Sequence, residues 1–242
     1  MSNDLMTMGP KNELAPADLS DPFTEYADAV APRYIIGDLL KFSKGDYFAG
    51  INNQTVPAGT MFTVNMDELM AGWVRWWDGK PTDHVMVRVA DHIPPKKRIE
   101  LGDDDETKWE TDAKSREPRD PWQFTNYLPM MNEKGELFTF TTGSRGGISA
   151  IAGLARRYAN HRRRHPDVFP LIALGVDSYQ HPNREFGRIK FPVFAPAGYS
   201  PKAGFLAALT TAGIVTAEPA EPAPAEGEKD ALDDMLNDEL PY

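Results

Sequence analysis

Residues 148–165 read ISAIAGLARRYANHRRRH, a helical pattern in a chain whose other periodic segments alternate like strands. The apolar residues of this stretch recur every three to four positions: Ile148, Ile151, Ala152, Ala155, and Tyr158 with Ala159. A Gly-Gly pair precedes the stretch and Pro166 ends it. The sequence therefore predicts an amphipathic helix from Ile148 to His165.

Short segments rich in aromatic and β-branched residues lie on both sides of this helix, separated by Gly, Pro, Asn or Asp. Eight are predicted to be strands: Tyr34–Phe42, Thr60–Met66, Trp73–Trp77, Met86–Ala90, Trp122–Met130, Leu137–Thr142, Leu171–Val176 and Arg188–Phe194. The protein is therefore predicted to be mainly β with one amphipathic helix.

The order of these segments reduces the number of folds that fit the sequence. From Trp122 onward it reads strand, turn at residues 132–135, strand, helix, strand, long loop at residues 177–187, strand. With an earlier strand, this places one helix after the third strand of five, as in a Greek-key barrel of the OB type. We expect an OB-like Greek-key barrel with extra strands; another open barrel or a β-sandwich is the alternative.

Charge is distributed unevenly along the chain. The formal net charge is −10, but residues 1–30 hold six acids and one lysine, and residues 217–242 hold nine acids and one lysine. The two ends therefore carry −5 and −8, and the remainder carries +3. A mildly basic body with acidic ends is compatible with a polyanionic ligand, because local charge decides such binding.

Composition also limits which cellular compartment and which kinds of metal site are expected. The chain has no cysteine, which excludes disulfides and thiolate metal sites and fits a reducing compartment, so we expect a cytoplasmic protein. The longest nearly apolar run, residues 205–217, is too short to cross a bilayer, and the N-terminus lacks the pattern of a signal peptide. No membrane contact is predicted.

Four regions follow from these patterns. Residues 1–30 form an acidic, partly disordered segment with a helix predicted at residues 20–30, and residues 31–215 form the β-rich body. Residues 216–229 are a linker of Ala, Pro and Glu, which cannot bury enough surface to fold. The tip, residues 230–242, reads DALDDMLNDELPY and is predicted to insert into a partner protein. A solubilising acidic tail is the alternative.

The predicted helix and its entry are basic. They carry six arginines, with no acid between residues 141 and 166: Arg145, Arg156, Arg157, Arg162, Arg163 and Arg164. A row of arginines can bind successive phosphates of a nucleic-acid backbone. The alternative is a solvated helix face whose charges complement the helix dipole. His161 and His165 have a spacing compatible with a metal, but the arginines oppose a cation, so they are assigned to the basic surface.

Aromatic residues supply a second feature of nucleic-acid binders. In residues 73–77, WVRWW, strand alternation places Trp73, Arg75 and Trp77 on one face. Tryptophans beside a cation can stack on the bases of a single strand; the alternative is ordinary packing.

The last predicted strand adds to this set. In residues 187–194, GRIKFPVF, we expect Ile189, Phe191 and Val193 to face inward and Arg188 with Lys190 to face outward. The loop before it mixes aromatic and basic residues suited to a flexible strand: Tyr179, His181, Arg184 and Phe186. The alternative is a loop that only covers one end of the barrel.

Catalysis has little support. The sequence lacks a phosphate-binding Gly-x-x-x-x-Gly-Lys, a His-Glu-x-x-His and a Gly-x-Ser-x-Gly motif. Asp103, Asp104 and Asp105, with Glu106 and Glu110, could collect a divalent cation, but a solvated acidic loop is the favoured interpretation. No catalytic residue, metal or cofactor is predicted.

The tail, the basic body and the expected barrel together resemble single-stranded-DNA-binding proteins of the bacterial and phage type. In that comparison Asp233, Asp234, Asp238 and Glu239 stand for the family's acidic run, and Leu240, Pro241 and Tyr242 for its terminal anchor. Tyr242 replaces the usual phenylalanine and Asn237 interrupts the acids. The resemblance implies a non-enzymatic protein that coats single-stranded DNA in replication or recombination and recruits partner proteins through its tip.

The predicted nucleic-acid-binding residues are Trp73, Arg75, Trp77, Arg145, Arg156, Arg157, Arg163, Arg164, Tyr179, Arg184, Arg188 and Lys190. Two other functions remain open: a metal-dependent phage nuclease or related nucleic-acid-processing enzyme, and a phage structural or assembly protein. Self-association is also left open.

Overall fold

The computed structural model of the protein describes residues 34–112, 116–184 and 187–214. Strands dominate these residues, and residues 145–162 form an amphipathic helix, so the prediction of a mainly β protein with such a helix is confirmed. The helix predicted at residues 20–30, the linker and the tip lie outside the described residues.

The described residues contain twelve strands and two α-helices. The strands are β1 (Asp38–Ser43), β2 (Asp46–Ala49), β3 (Gln54–Val56), β4 (Met61–Val64), β5 (Met70–Trp77), β6 (Lys80–Arg88), β7 (Glu110–Thr111), β8 (Pro118–Arg119), β9 (Trp122–Asn132), β10 (Leu137–Thr142), β11 (Val168–Gln180) and β12 (Arg188–Pro201). The helices are α1 (Arg145–Arg162) and α2 (Lys202–Thr211).

Ten strands form one curled open sheet in the order β12-β11-β4-β9-β10-β1-β2-β3, with β5 and β6 off this path. Strand β9 is the branch point. One edge of β9 pairs with β10; its other edge pairs with β5 over residues 122–127 and with β4 over residues 130–132. Strand β1 pairs with β10 in parallel, and the other pairings in this sheet are antiparallel.

Curling of the sheet encloses the main core. Leu40, Phe62, Leu128 and Phe140 are fully or almost fully buried inside it. The Tyr47 hydroxyl on β2 donates a hydrogen bond of 2.8 Å to the carbonyl oxygen of Gly175 on β11, and burial raises the pKa of Tyr47. This contact joins strands that are far apart in the sheet order, so the sheet nearly closes on itself.

Helix α1 covers the core with one face. Ile151, Leu154 and Tyr158, at spacings of three and four residues, are buried, as an amphipathic helix requires. Ala152 and Ala159, which share the predicted pattern, are exposed. Helix α2 was not predicted, although its Phe205 and Leu209 enter the core one turn apart.

The second packed unit is the tryptophan arm, which consists of β5, β6, residues 122–127 of β9, and residues 89–112 and 116–121 that follow β6. Trp73 of β5 contacts Phe124 of β9 edge to face, with ring centroids 5.4 Å apart. Buried Val74 and Trp122 are not part of the main core. The arm therefore has its own small set of packing contacts.

The hairpin of β11 and β12 corrects the expected long loop at residues 177–187. The two strands pair continuously as far as Gln180 and Arg188, so residues 177–180 belong to β11 and not to a loop. Both strands also extend beyond their predicted ends through prolines. β12 lies at one end of the strand order, where Pro192 and Pro196 need no backbone N–H for a further neighbour.

Candidate nucleic-acid interface

Helix α1 starts close to the sheet because its first turn has two glycines. Ser144 caps the helix by accepting a hydrogen bond of 3.1 Å from the backbone N–H of Gly147. A Cβ atom at Gly146 would lie 2.7 Å from Cβ of Phe191 on β12, closer than real contacts allow. Glycine at this position lets α1 cross directly over β12.

Beside this crossing, α1 and the β11–β12 hairpin line a groove of about 700 Å³, which we call the hairpin groove. The helix side of the groove is smooth, since it presents Gly146, Ser149, Ala150 and Gly153. These residues lie three, four and seven positions apart and thus share one helix face. The opposite side is formed by Tyr179, His181 and residues 191–194.

Aromatic rings on the strand side of the groove are accessible. Tyr179 is 50% exposed, and its ring centroid lies 6.1 Å from that of Phe191 and 6.5 Å from that of His181. Phe191 is half-buried. A nucleobase entering the groove would meet these rings, which are the type of surface on which bases stack.

The inward and outward sides expected for β12 are wrong at Phe191, Val193 and Phe194. Phe194, which the pattern placed outside the inward set, is 3% exposed and belongs to the main core. Phe191 and Val193, expected to face inward, are half-buried and line the hairpin groove. Both faces of β12 are covered, one by the core and one by α1, so alternation of apolar residues did not identify the core side.

Arginines lie at both ends of the hairpin groove. Arg145 begins α1, and Arg157, three turns further on, donates a hydrogen bond of 3.1 Å from Nη2 to the carbonyl oxygen of Phe194. Among the described residues that line the groove there is no carboxylate. The groove thus combines apolar walls, exposed rings and positive charge.

The other predicted cations of this region lie on or next to the same elements but do not line the groove. Arg156, Arg163 and Arg164 are exposed on α1 or just after it, and Arg184, Arg188 and Lys190 are exposed on the hairpin. Within the described part of the chain, none of these six forms an ion pair. The side chain of Lys190 lies against Gly45 in the β1–β2 turn. Phe186 lies outside the described residues.

Three predicted residues, Trp73, Arg75 and Trp77, lie instead on the tryptophan arm. Arg75 forms an ion pair with Asp103, at 2.8 Å from Nε to Oδ2, and its guanidinium lies 5.8 Å from the ring centroid of Trp77. The Trp73 indole donates a hydrogen bond of 2.8 Å to the carbonyl oxygen of Lys96. Trp77 is 44% exposed. Trp73 and Arg75 therefore hold the segment after β6 against the sheet.

Asp103 is the centre of this attachment. Its Oδ2 also accepts a hydrogen bond of 2.9 Å from the indole of Trp122. Hydrogen bonding from Arg75 lowers the pKa of the Asp103 carboxyl below its usual range. The carboxylate is thereby fixed in its ionised form by protein contacts.

Three other acids of this segment also have partners. Asp105 accepts a hydrogen bond of 3.2 Å from the backbone N–H of Thr107, and Asp104 lies 3.5 Å from Arg98. Glu110 accepts a hydrogen bond of 2.7 Å from the backbone N–H of Asp78. Across residues 34–112, 116–184 and 187–214, no group of three His, Asp or Glu side chains is placed to hold a metal ion.

The helix side of the groove was not identified from the sequence. A recognisable pattern was present, namely a face of small residues in a helix that is otherwise rich in arginine: Gly146, Ser149, Ala150 and Gly153. The acids and anchor residues of the tip, by contrast, lie outside the described residues.

Comparison of the chain with models of protein families, with curated proteins and with solved structures found no match. Neither helix of the described residues has the length and apolar character needed to cross a membrane.

Proposed function

We propose that this protein binds single-stranded DNA without catalysing a reaction and that the hairpin groove, with the arginines around it, is the contact surface. Bases stack on Tyr179 and Phe191, while the arginines of α1 and the hairpin neutralise phosphates. In this role the protein coats exposed strands in replication or recombination, and its tip recruits partner proteins.

The observation that carries the proposal is the coincidence of rings and cations at one acid-free groove. Exposed Tyr179 and half-buried Phe191 lie between Arg145 and Arg157, and no described carboxylate lines the space. Single strands are bound by this combination, since stacking accepts any base and cations follow the backbone. In duplex DNA only the edges of the bases are accessible, in the major and minor grooves of the helix. The base rings therefore cannot enter the hairpin groove of the protein.

Strand order supports the OB-like assignment. In chain order the five strands are β4, β9, β10, β11 and β12, with β5–β8 between the first two and α1 after the third. Numbered one to five in that order, they lie side by side in the sheet as five, four, one, two, three. This order agrees with a five-stranded Greek-key barrel of the OB type. Strands β1, β2 and β3 then precede these five strands in the chain and extend the sheet beside β10, where β1 pairs in parallel.

The contacts of the acidic segment favour this function over nuclease chemistry. Asp103 is bound by Arg75 and Trp122, and Asp105 caps a short turn. These carboxylates stabilise the fold of the tryptophan arm. An experiment with DNA and Mg²⁺ checks the alternative, because a nuclease degrades the strand while a binding protein leaves it intact.

A steric block tests the groove directly. A Cβ atom at Gly153 would meet Arg157 Nη1 at 3.7 Å, an ordinary contact, so Gly153→Leu should fill the groove without moving the helix. We expect at least a tenfold loss of affinity for labelled oligo-dT of about 12 nucleotides, within the range of about 4 to 16 per OB fold, by fluorescence anisotropy.

The matched control is Gly204→Leu on α2, where nothing lies within 4 Å of a Cβ atom. It makes the same change in another helix and should leave affinity unchanged. If folded Gly153→Leu protein binds like the parent, the groove is not the contact surface. If the parent binds blunt duplex as tightly as oligo-dT, the function itself is wrong.

A further inference from the structure

The C-terminal turns of α1 meet β12 through a stack of three rings. The ring of His161 lies parallel to that of Tyr199, with centroids 3.5 Å apart and an angle of 7° between the planes. His165, one turn further along, stacks on His161 at 4.6 Å and 24°. Because His161 takes part in both contacts, the position of both imidazoles is fixed relative to β12.

Beside this stack is a hollow of about 430 Å³, which we call the histidine hollow. It is lined by Arg157, Asn160, His161, Arg164, His165 and Tyr199. Arg157 also lines the hairpin groove, so the two spaces adjoin along α1. The 18 residues of the helix span about 27 Å at about 1.5 Å per residue, enough for a short run of nucleotides.

The lining suits a tetrahedral oxyanion. Guanidinium groups bind phosphate through two parallel N–H donors, and the Asn160 amide and the imidazoles add further donors. The described residues that line the hollow include no carboxylate to compete for these groups. A phosphate placed here would contact cations supplied by successive turns of one helix.

The imidazoles also make the hollow responsive to pH. Burial, and next the neighbouring charge of His165, lower the pKa of His161 below its usual value. The other groups that face the rings are Arg157 and Arg164, which oppose protonation, and Tyr199 from β12. A bound anion reverses this balance, because a negative charge nearby favours the protonated ring. Anion binding and proton uptake are therefore coupled, and affinity rises as the pH falls.

We propose that the histidine hollow is a phosphate subsite whose affinity increases when His161 and His165 are protonated. Under the function proposed above, on which the identity of the natural ligand rests, the phosphate belongs to the backbone of the strand whose bases occupy the hairpin groove. Binding of single-stranded DNA then strengthens as the pH falls below neutrality.

The subsite is tested with inorganic sulfate, a tetrahedral oxyanion whose charge is constant between about pH 5.5 and 8, the range in which histidine titrates. Histidine ring signals of the whole protein are followed by NMR with and without sulfate. Sulfate should raise the pKa of His161 and move the ring signals of His165, and it should leave the ring signals of exposed His92, at the end of a turn in the tryptophan arm, unchanged. Equal titration with and without sulfate overturns the inference.

The ligand is tested with oligo-dT, since thymine does not titrate in this range. Affinity should rise about fivefold from about pH 8 to pH 6, the factor for one added charge about 4 Å from a phosphate in water. The double variant His161→Asn, His165→Asn should lose this rise. The comparison is made in a His181→Asn background, because His181 lines the hairpin groove; a pH-dependent rise that persists there in the double variant also contradicts the inference.

Failure of the inference and failure of the proposed function are distinguishable. Oligo-dT that binds with no change in the His161 or His165 titration supports the function and overturns the subsite. Sulfate that shifts both titrations in a protein that does not bind oligo-dT supports the phosphate subsite and overturns the DNA-binding function.

Discussion

The hairpin groove and the tryptophan arm have similar residues and different chemistry. Both combine arginine with aromatic rings: Arg157 lines the hairpin groove together with Phe191, and Arg75 lies beside Trp77. In the arm, the arginine is neutralised by Asp103, which also binds a tryptophan. In the groove, no described carboxylate lines the space. The carboxylate partner, rather than the aromatic or the arginine, distinguishes a packing contact from a surface that can bind an anion.

The contrast has an electrostatic cause. An arginine that is already paired must lose that partner before it can bind a phosphate, so it gains little from a new contact. An exposed arginine without such a partner exchanges mobile counterions for a phosphate and thus contributes to salt-dependent affinity. We therefore expect substitutions in the groove to change DNA binding and substitutions in the arm to change stability.

The largest expected effect on DNA affinity is the difference between removing an exposed ring from the groove and removing one from the arm. Tyr179→Ala should weaken binding of oligo-dT by about 1 to 3 kcal/mol, the usual value for loss of one stacked base. Trp77→Ala, on the arm, should weaken it much less, because its neighbouring cation is paired. Fluorescence anisotropy at fixed salt measures both. Equal losses would show that the arm shares the binding surface.

The second comparison concerns salt. Arg156→Ala with Arg163→Ala should reduce the slope of log affinity against log salt by about 1.4, at about 0.7 for each phosphate contact to a single strand. Lys80→Ala with Lys108→Ala removes two exposed cations of the arm and should leave the slope unchanged. If the arginine variant is folded and keeps the parent slope, the exposed face of α1 is only solvated.

The third comparison is of stability. Asp103→Ala leaves Arg75 and the Trp122 indole without their acceptor, so we expect the free energy of unfolding to fall by about 1 to 2 kcal/mol. Asp104→Ala, a neighbouring carboxylate that is 65% exposed, should change it by less than about 0.5 kcal/mol. Urea unfolding gives both values. DNA affinity should not fall in either variant.

The effect of Asp103 should also depend on pH. Since the folded protein holds the Asp103 pKa below that of the unfolded chain, its contribution is complete above the unfolded pKa and is lost as the pH falls through the folded pKa. The stability difference between the parent and Asp103→Ala should therefore shrink during acid titration below about pH 4. A difference that stays constant to pH 2 would contradict this account.

The smallest expected effect involves the tip. Residues 217–242 carry a charge of −8, and the tip, residues 230–242, carries −5 of it. A tethered acidic segment can compete for the groove at an effective concentration near millimolar, so deletion of residues 230–242 should raise DNA affinity about twofold to threefold at low salt. Tyr242→Ala keeps the charge and should lose only partner recruitment. Truncation that lowers DNA affinity, or pull-downs that recover the same proteins without the tip, would exclude this role.

The sequence by itself determined the mainly β character, the position of α1, and the basic face of that helix. These depend on local patterns, since Ile151 and Tyr158 recur at helical spacing and Pro166 stops the helix. No acid lies between residues 141 and 166, so α1 itself offers its arginines no carboxylate partner. This holds in the folded protein as well, because it depends only on the sequence of that helix. The arginines of α1 could thus be assigned to one surface without a structure.

Only the tertiary structure decided which cations have partners. Arg75 and Asp103 are 28 residues apart, so no local pattern reveals that they pair. For the same reason the sequence could not show that α1 covers β12 at Gly146, which makes Phe191 a groove residue. Alternation reports which side chains share a face, whereas long-range packing decides what that face contacts. The groove exists because Gly146 and Phe191, 45 residues apart in the sequence, meet closely where α1 crosses β12.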